Sequence, residues 1–141
     1  MKLKDIMSKN VIQVHPKESV EVAARLLAQY NIGLLAVCDR GQLCGLVTDR
    51  DLVTRCIASG RLANKTTVGE IMTGRVISAH PDMDTGVAAH LMGREQIRRL
   101  PVVDGGKLCG IVSLGDMVSQ PEGSMDAADA LEGICENIIE K

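Results

Sequence analysis

Two short stretches of this sequence place a carboxylate three residues after a hydroxyl side chain. The first pairs Thr48 with Asp51, and the second, sixty-five residues later, pairs Ser113 with Asp116. An ionised aspartate only accepts hydrogen bonds, so its two oxygens can receive both hydroxyls of a ribose diol, while a nearby Ser or Thr hydroxyl can bind the same ligand. The same spacing also resembles a helix-capping box. The two interpretations are compatible because one hydroxyl has several hydrogen-bonding sites.

Each stretch follows a strand-like run that contains a glycine. We expect Gly45 and Gly110 to let a ligand approach the strand backbone, since a glycine inside a strand often marks a close approach. The amides of a helix N-terminus directly after the hydroxyl would suit a phosphate group.

The two stretches belong to a repeat that covers most of the chain. Residues 5–53 align without a gap with residues 70–118. His15-Pro16 matches His80-Pro81, and Leu43-Cys44-Gly45 matches Leu108-Cys109-Gly110. A fixed period of this kind indicates two copies of one structural unit.

Each copy predicts the element order β-α-β-β-α. Ser19 and Asp84 are expected to be helix N-caps, and the apolar spacing after Ser19 predicts an amphipathic helix. The predicted strands are 11–14, 34–38 and 43–47 in the first copy and 76–78, 100–103 and 108–112 in the second, and the predicted helices are 20–29 and 49–58, then 85–94 and 114–119.

These elements predict an α+β fold in which two repeats pack as a pseudo-two-fold pair, because one repeat is too small to bury its own faces. We assign residues 1–60 to the first repeat, 61–67 to a linker, 68–120 to the second repeat and 121–141 to a tail. The tail predicts a C-terminal helix that packs on the pair or on a partner, with an apolar stripe of Ala127, Leu131, Ile134 and Ile138.

Composition argues against several classes of protein. The net charge is −2 and no basic run occurs, which argues against a nucleic-acid surface. Tyr30 is the one aromatic residue, so stacking platforms for single strands are missing. No apolar run has the length of a membrane span or the character of a signal peptide. The five cysteines form no CxxC pair and favour a reducing compartment, so we expect a cytoplasmic protein.

The whole repeat resembles the CBS domain, named after cystathionine β-synthase, and the tandem resembles a CBS pair, or Bateman module. The resemblance runs from Lys4 to about Ser119. The residues that carry it are Asp5-Ile6-Met7, Leu43-Cys44-Gly45-Leu46-Val47-Thr48-Asp49-Arg50-Asp51, Gln96-Ile97-Arg98-Arg99-Leu100-Pro101-Val102-Val103-Asp104, and Gly110-Ile111-Val112-Ser113-Leu114-Gly115-Asp116.

The resemblance implies regulatory ligand binding rather than catalysis. CBS pairs bind AMP, ADP, ATP or S-adenosylmethionine in clefts between the two repeats, and no further cofactor is expected. Carried over, Thr48 and Asp51 would hold one ribose, and Ser113 and Asp116 another. The residues that would frame the adenine, chiefly through their backbone, are Val11, Ile12, Leu34, Leu35, Val76, Ile77, Leu100 and Pro101.

The two copies differ where phosphate would be bound. Arg98 and Arg99 occupy positions at which some family members place phosphate-contacting residues, and the first copy lacks both. The two sites need not be equivalent, and if one of them prefers phosphorylated ligands, we expect it to be the site served by these arginines and Asp116. Arg50 is a further candidate. The alternative for the arginine pair is a solvated turn between helix and strand.

Three other functions are alternatives to ligand binding. A metal site is disfavoured because the matched His15 and His80 form no close ligand pairs, and an enzyme is disfavoured because no catalytic motif is present. The serious rival is a ligand-independent scaffold. The resemblance implies a homodimer of two pairs in a flat four-repeat disc, and the signal would pass to an unidentified effector protein. The apolar residues expected to serve such assembly, or else the core, are Leu52, Val53, Cys56, Ile57, Met117 and Val118.

Overall fold

The computed structural model describes residues 1–118, 128 and 130–134 of the chain. None of the helices in these ranges is both long and apolar enough to span a membrane. The elements, in chain order, are a 3₁₀ turn at Leu3–Asp5, β1 at Gln13–Val14, α1 at Val20–Tyr30, β2 at Leu34–Asp39, β3 at Gln42–Thr48, α2 at Asp49–Asp51 with a π-helical continuation at Leu52–Ile57, α3 at Val68–Ile71, α4 at Thr85–Glu95, β4 at Arg99–Asp104, β5 at Lys107–Ser113 and α5 at Leu114–Val118.

Residues 128 and 130–134 are also helical and are called the tail helix below. The predicted α+β class is therefore confirmed, with its alternating elements and a C-terminal helix.

The chain divides into two compact units. The first-repeat unit contains Val11–Val76 and Gly106–Leu108, and the second-repeat unit contains Met1–Asn10, Ile77–Gly105 and the described residues from Cys109 onward. Each unit therefore joins one repeat to a segment that the alignment assigns to the other copy. The predicted boundaries at residues 60 and 68 divide the sequence into its repeats and not the structure into these compact units, so they stay a prediction.

In the first-repeat unit, β1 runs parallel to β2, and β2 runs antiparallel to β3. Arg40 and Gly41 link β2 to β3 with positive φ angles at both positions, as a tight hairpin turn of type I′ requires. Ser19 caps α1 as predicted, because its Oγ accepts the Val22 amide at 3.2 Å. The buried hydrophobic cluster of this unit contains Val14, Val20, Ala23, Leu27, Leu35, Val37, Val47, Leu52, Cys56, Val68 and Ile71.

In the second-repeat unit, β4 and β5 are hydrogen-bonded neighbours. The predicted cap of α4 is confirmed, because Asp84 Oδ1 accepts the Gly86 amide at 2.8 Å. The buried hydrophobic cluster of this unit contains Leu3, Ala79, Ala88, Ala89, Met92, Leu100, Val102, Val112, Met117 and Ala130.

The strand predicted at 76–78 is wrong, and the one at 11–14 is shorter than predicted. Only Ala79 makes a bridge, to Val102, whereas β1 pairs two residues with β2. A comparison of the two copies explains why the first has this strand and the second does not. In the first copy the Ala36 amide donates to the Ile12 carbonyl at 3.2 Å, but the matching residue in the second copy is Pro101, which has no N–H to donate.

The predicted helix at 49–58 is confirmed, but most of it is a π-helix rather than an α-helix. From Leu52 the turns widen into a π-helix, in which the Ala58 amide donates to the Val53 carbonyl at 2.8 Å. This stretch buries Leu52 and Cys56 and leaves Val53 and Ile57 exposed.

The tail helix packs on α4 within the second-repeat unit. Ala130 and Ile134 are buried, and Gln96 Nε2 donates to the Gly133 carbonyl at 3.2 Å. Of the predicted stripe, Ile134 is buried and Leu131 is 48% exposed, because the face buried within this unit is the one that carries Ala130. Ala127 and Ile138 lie outside the described residues.

Candidate functional site

Thr48 and Asp51 form a reciprocal pair at the junction of β3 and α2. The Thr48 amide donates to Asp51 Oδ2 at 3.0 Å, and the Asp51 amide donates to Thr48 Oγ1 at 3.1 Å. This is the capping box that the spacing suggested. The pair is half-buried rather than sealed, since the Asp51 side chain remains 14% exposed. The cap therefore fixes the orientation of a carboxylate that solvent can still reach.

Ser113 and Asp116 repeat this arrangement at the junction of β5 and α5. The Ser113 amide donates to Asp116 Oδ2 at 2.8 Å, and the Asp116 amide donates to Ser113 Oγ at 3.2 Å. Both residues are half-buried. The matched sequences thus fold into matched geometry, with an acid and a hydroxyl presented together at the end of a strand.

The start of the preceding strand lies beside each pair. Leu34, the first residue of β2, is the register partner of Thr48, and the Asp49 amide donates to the Gly33 carbonyl at 3.2 Å. In the second copy the Leu114 amide donates to the Arg98 carbonyl at 3.1 Å. The structure therefore brings Leu34 to Thr48, and the backbone of Arg98 to the residue after Ser113.

The other predicted residues fall into an accessible and a buried group. Leu35, Leu100 and Pro101 are fully buried, so their side chains are closed to a ligand in this arrangement. The half-buried residues are Val11, Ile12, Leu34, Val76 and Ile77, and the exposed ones are Arg50, Arg98 and Arg99. The Ile12 carbonyl is joined to β2 through the Ala36 amide, which places the 11–12 stretch next to that strand.

Arg55 is part of the site although sequence reasoning did not single it out. Its Nη2 lies 3.6 Å from Asp51 Oδ1, and its Nη1 donates to the Ile71 carbonyl at 2.9 Å and to Thr73 Oγ1 at 3.1 Å. The signal was available, because residues four apart on a helix are neighbours and an acid followed by an arginine favours an ion pair. The contacts of Arg55 with Ile71 and Thr73 join residues that are distant in sequence, so no local sequence pattern predicts them.

The expectation that Gly45 and Gly110 admit a ligand is wrong for this arrangement. A methyl group at Gly45 would meet the Thr73 carbonyl oxygen and Met72 Sδ, and one at Gly110 would meet the Ser8 carbonyl oxygen and Met7 Sδ. Thr73 and Leu46 exchange backbone hydrogen bonds at 2.9 and 3.0 Å. The glycines therefore make room for a segment of the chain.

The matched histidines His15 and His80 stabilise the turns in which they lie. His15 Nδ1 accepts the Lys17 amide at 3.1 Å and Nε2 faces Asp39 at 3.3 Å, while His80 Nε2 faces Asp104 at 3.4 Å. Within residues 1–118, 128 and 130–134, no group of three or more His, Cys, Asp or Glu side chains is placed to hold a metal ion.

Comparison with known proteins identifies the repeat. The family profile of the CBS domain matches residues 3–57 and again residues 68–123, so each match contains one acid–hydroxyl pair. The CBS domain-containing protein YhcV of Bacillus subtilis (strain 168) is 40% identical over 132 residues, which cover 94% of each protein.

Solved structures agree with this match. The CBS domain pair of protein MJ0100, crystallised in complex with 5′-methylthioadenosine and S-adenosyl-L-methionine, has a TM-score of 0.73 at 36% identity over 89% of this chain and 98% of that one. Hypoxic Response Protein I, crystallised with two coordinated zinc ions, has a TM-score of 0.78 at 30% identity over 85% and 98%. With both repeats matched by the profile, the chain belongs to the CBS domain family.

Proposed function

We propose that this CBS pair is a regulatory module that binds an adenosyl ligand, namely AMP, ADP, ATP or S-adenosylmethionine. The observation that carries the proposal is the pair of half-buried acid–hydroxyl arrangements, Thr48 with Asp51 and Ser113 with Asp116, each fixed by two backbone hydrogen bonds. Support comes from the MJ0100 pair, which was crystallised with two adenosyl compounds.

The chemistry of the first pair suits a ribose. Asp51 Oδ2 already accepts one amide, but a carboxylate oxygen can accept more than one hydrogen bond, so both oxygens can receive diol hydroxyls. Thr48 Oγ1 accepts the Asp51 amide and still has its own proton to donate. Since the cap orients both groups before a ligand arrives, little ordering is needed on binding.

The remaining residues would supply the contacts to the base and to any phosphate. Leu34 lies beside Thr48 and would pack an aliphatic side chain on adenine. Arg98 and Arg99 are exposed at the start of β4, where they would favour a phosphorylated ligand near Asp116, and Arg50 is a candidate for the first site.

The output would be a change in conformation or assembly. A ligand can shift an equilibrium between two conformations only by its difference in affinity for them. The signal would pass to a separate effector protein. The cytoplasmic location stays a prediction.

A second candidate is an interaction scaffold whose assembly needs no ligand. Val53 and Ile57 are 55% and 66% exposed, and Val118, which matches Val53 in the repeat, is 59% exposed. Exposed aliphatic residues at matching positions of both second helices would suit a homodimer.

Thermal unfolding with each ligand separates the two candidates. A ligand at a hundred times its Kd should raise the free energy of unfolding by about 2.7 kcal/mol. The compounds are AMP, ADP, ATP, S-adenosylmethionine and 5′-methylthioadenosine, with GMP as the control. Asp51→Asn and Asp116→Asn should each weaken binding at their own site by roughly tenfold or more, because charge-assisted hydrogen bonds to the diol are lost.

Asp49→Asn is the matched control, since Asp49 is an exposed acid next to the same cap. Equal affinity in the wild-type protein and in both test variants would refute the assignment of the acids. Stabilisation by none of the adenosyl compounds, with a stable dimer in sedimentation, would favour the scaffold.

A further inference from the structure

Arg55 holds three groups of the first-repeat unit together. One edge of its guanidinium faces Asp51 Oδ1 at 3.6 Å, and Nη1 donates to the Ile71 carbonyl and to Thr73 Oγ1 at 2.9 and 3.1 Å. A guanidinium is suited to this role because its donors fan out in one rigid plane. The acid is the less exposed partner, at 14% against 46% for the arginine.

The far end of this bridge is a stretch of backbone rather than one side chain. The Thr73 amide donates to the Leu46 carbonyl, the Met72 amide donates to the Val68 carbonyl, and Gly45 leaves room for Met72 beneath β3. After Val76 the chain passes into the second-repeat unit. Arg55 therefore joins the acid of the candidate site to the stretch that leads from one repeat to the next.

In the second-repeat unit, Ser8 pairs with β5 in the same way that Thr73 pairs with β3, but the residue at the position that matches Arg55 is different. Ser8 exchanges backbone hydrogen bonds with Ile111 at 2.9 Å, just as Thr73 does with Leu46. The residue that corresponds to Arg55 is Gln120, which lies outside the described residues. The cation is thus particular to the first copy of the repeat.

We propose that Arg55 is a positioning residue that couples ligand binding at Asp51 to the seating of residues 71–73 on β3, an inference that rests on the proposed function. A bound ribose displaces water from Asp51, and the lower local dielectric strengthens the attraction between Asp51 and Arg55. Arg55 is then held more firmly, and so are the Ile71 carbonyl and the Thr73 hydroxyl to which it donates. By linkage, packing of residues 71–73 on β3 raises the affinity for ligand by the same factor by which bound ligand favours that packing.

Amide hydrogen exchange of Met72 and Thr73, measured by NMR without ligand, tests the bridge itself. Arg55→Gln installs the residue found at position 120 and should speed exchange of both amides by roughly tenfold, because hydrogen bonds from a charged donor are lost. Asp51→Asn should speed it by less. The double variant should be no faster than Arg55→Gln alone, because the two residues act as one unit.

The matched control is Arg25→Gln. Arg25 also pairs with an acid four residues away, Glu21 on α1, and belongs to the same unit. Its removal should leave exchange of the Met72 and Thr73 amides unchanged.

The ligand arm uses 5′-methylthioadenosine and S-adenosylmethionine as probes. In the wild-type protein a saturating probe should slow exchange of the Met72 and Thr73 amides several-fold further. Arg55→Gln should still bind the probe, but with an affinity lower by roughly the factor by which the probe slows exchange in the wild-type protein. In this variant the probe should not slow exchange of the Met72 and Thr73 amides. Arg55→Lys keeps the charge but not the planar fork, so it should restore part of the affinity and little of the slowing.

The outcomes separate the two proposals. Slowing of the same size in the wild-type protein and Arg55→Gln would overturn the coupling and leave the proposed function standing. If none of the five adenosyl compounds named above binds the wild-type protein, the proposed function and the ligand-dependent coupling both fail. Unchanged exchange in ligand-free Arg55→Gln, or additive effects in the double variant, would overturn the bridge whether or not a ligand binds.

Discussion

Gly45 and Thr73 lie so close that a methyl group on Gly45 would be 2.6 Å from the Thr73 carbonyl oxygen. The second copy repeats the relationship, with 2.7 Å between a methyl group on Gly110 and the Ser8 carbonyl oxygen. In both cases the obstacle is backbone, which cannot rotate away as the end of a side chain can. The glycine that opens each Gly-x-x-hydroxyl-x-x-Asp stretch is therefore explained by chain packing.

Alanine at either glycine should lower the stability of the protein. We expect Gly45→Ala and Gly110→Ala each to reduce the free energy of unfolding by about 1–3 kcal/mol, the usual cost of forcing extra atoms into a packed site. Urea denaturation measures this. Gly74→Ala is the control, because a methyl group there would meet nothing within 4 Å. Stability of Gly45→Ala equal to that of the control would contradict the close packing of this segment.

The elements were predictable because the two copies repeat each local signal. The hydroxyl and acid side chains at 19 and 84 predicted the starts of α1 and α4, and the hairpin strands lie within a residue or so of the predicted ranges. The acid–hydroxyl geometry was also predictable, since a capping box is local in sequence.

What the sequence could not predict depends on contacts between distant residues. Alignment identifies residues 5–8 and 70–73 as counterparts, but the pattern is the same whichever copy they pack against. The failure of the strand at 76–78 also has a distant cause, since Pro101 removes the donor it would need. The link from Arg55 to Thr73 is of the same kind.

The contact between α4 and the tail helix should respond to small increases in volume. A methyl group at Gly93 would lie 2.9 Å from the Ala130 Cα, and one at Gly133 would lie 2.7 Å from the Gly93 carbonyl oxygen. We expect Gly93→Ala to speed amide exchange in residues 130–134 by roughly tenfold, although alanine itself favours helix by up to about 1 kcal/mol.

Gly133→Ala should produce the same effect on the tail helix, and the double variant should show less than the sum, because both substitutions disturb one contact. Unchanged exchange in Gly93→Ala, with exchange elsewhere also unchanged, would mean that the tail helix does not rest on Gly93.

Cys38 should be the slow thiol in alkylation experiments. Burial, with a smaller contribution from nearby Cys44, raises the pKa of the Cys38 thiol to about 11. At pH 8 it therefore remains protonated and shielded, whereas the thiolate is the reactive form. With iodoacetamide and peptide mapping by mass spectrometry, we expect the half-buried Cys44 to be labelled well before Cys38. Labelling of Cys38 first would contradict its burial in β2.

Glu70 should give α3 a stability that depends on pH. The Thr67 amide donates to Glu70 Oε2 at 2.6 Å and the Thr67 hydroxyl at 3.2 Å, and these bonds, with a smaller contribution from Arg61, hold the pKa of Glu70 below its ordinary value of 4.5. Because the pKa is lower in the folded protein than in the unfolded chain, ionised Glu70 stabilises the fold above the ordinary glutamate range. That contribution disappears as the pH falls through the lowered value.

Glu70→Gln keeps the shape of the side chain and removes its charge. We therefore expect the variant to have a lower urea midpoint than the wild-type protein at pH 7. The gap should close as the pH falls through the lowered pKa of Glu70, because the wild-type carboxyl then becomes protonated and loses its charge. Glu18→Gln, at an exposed acid in the loop before α1, is the control and should show no such pH-dependent gap. A gap that stayed constant down to low pH would assign the effect to shape rather than charge, and an NMR titration of the Glu70 carboxyl would check the lowered pKa directly.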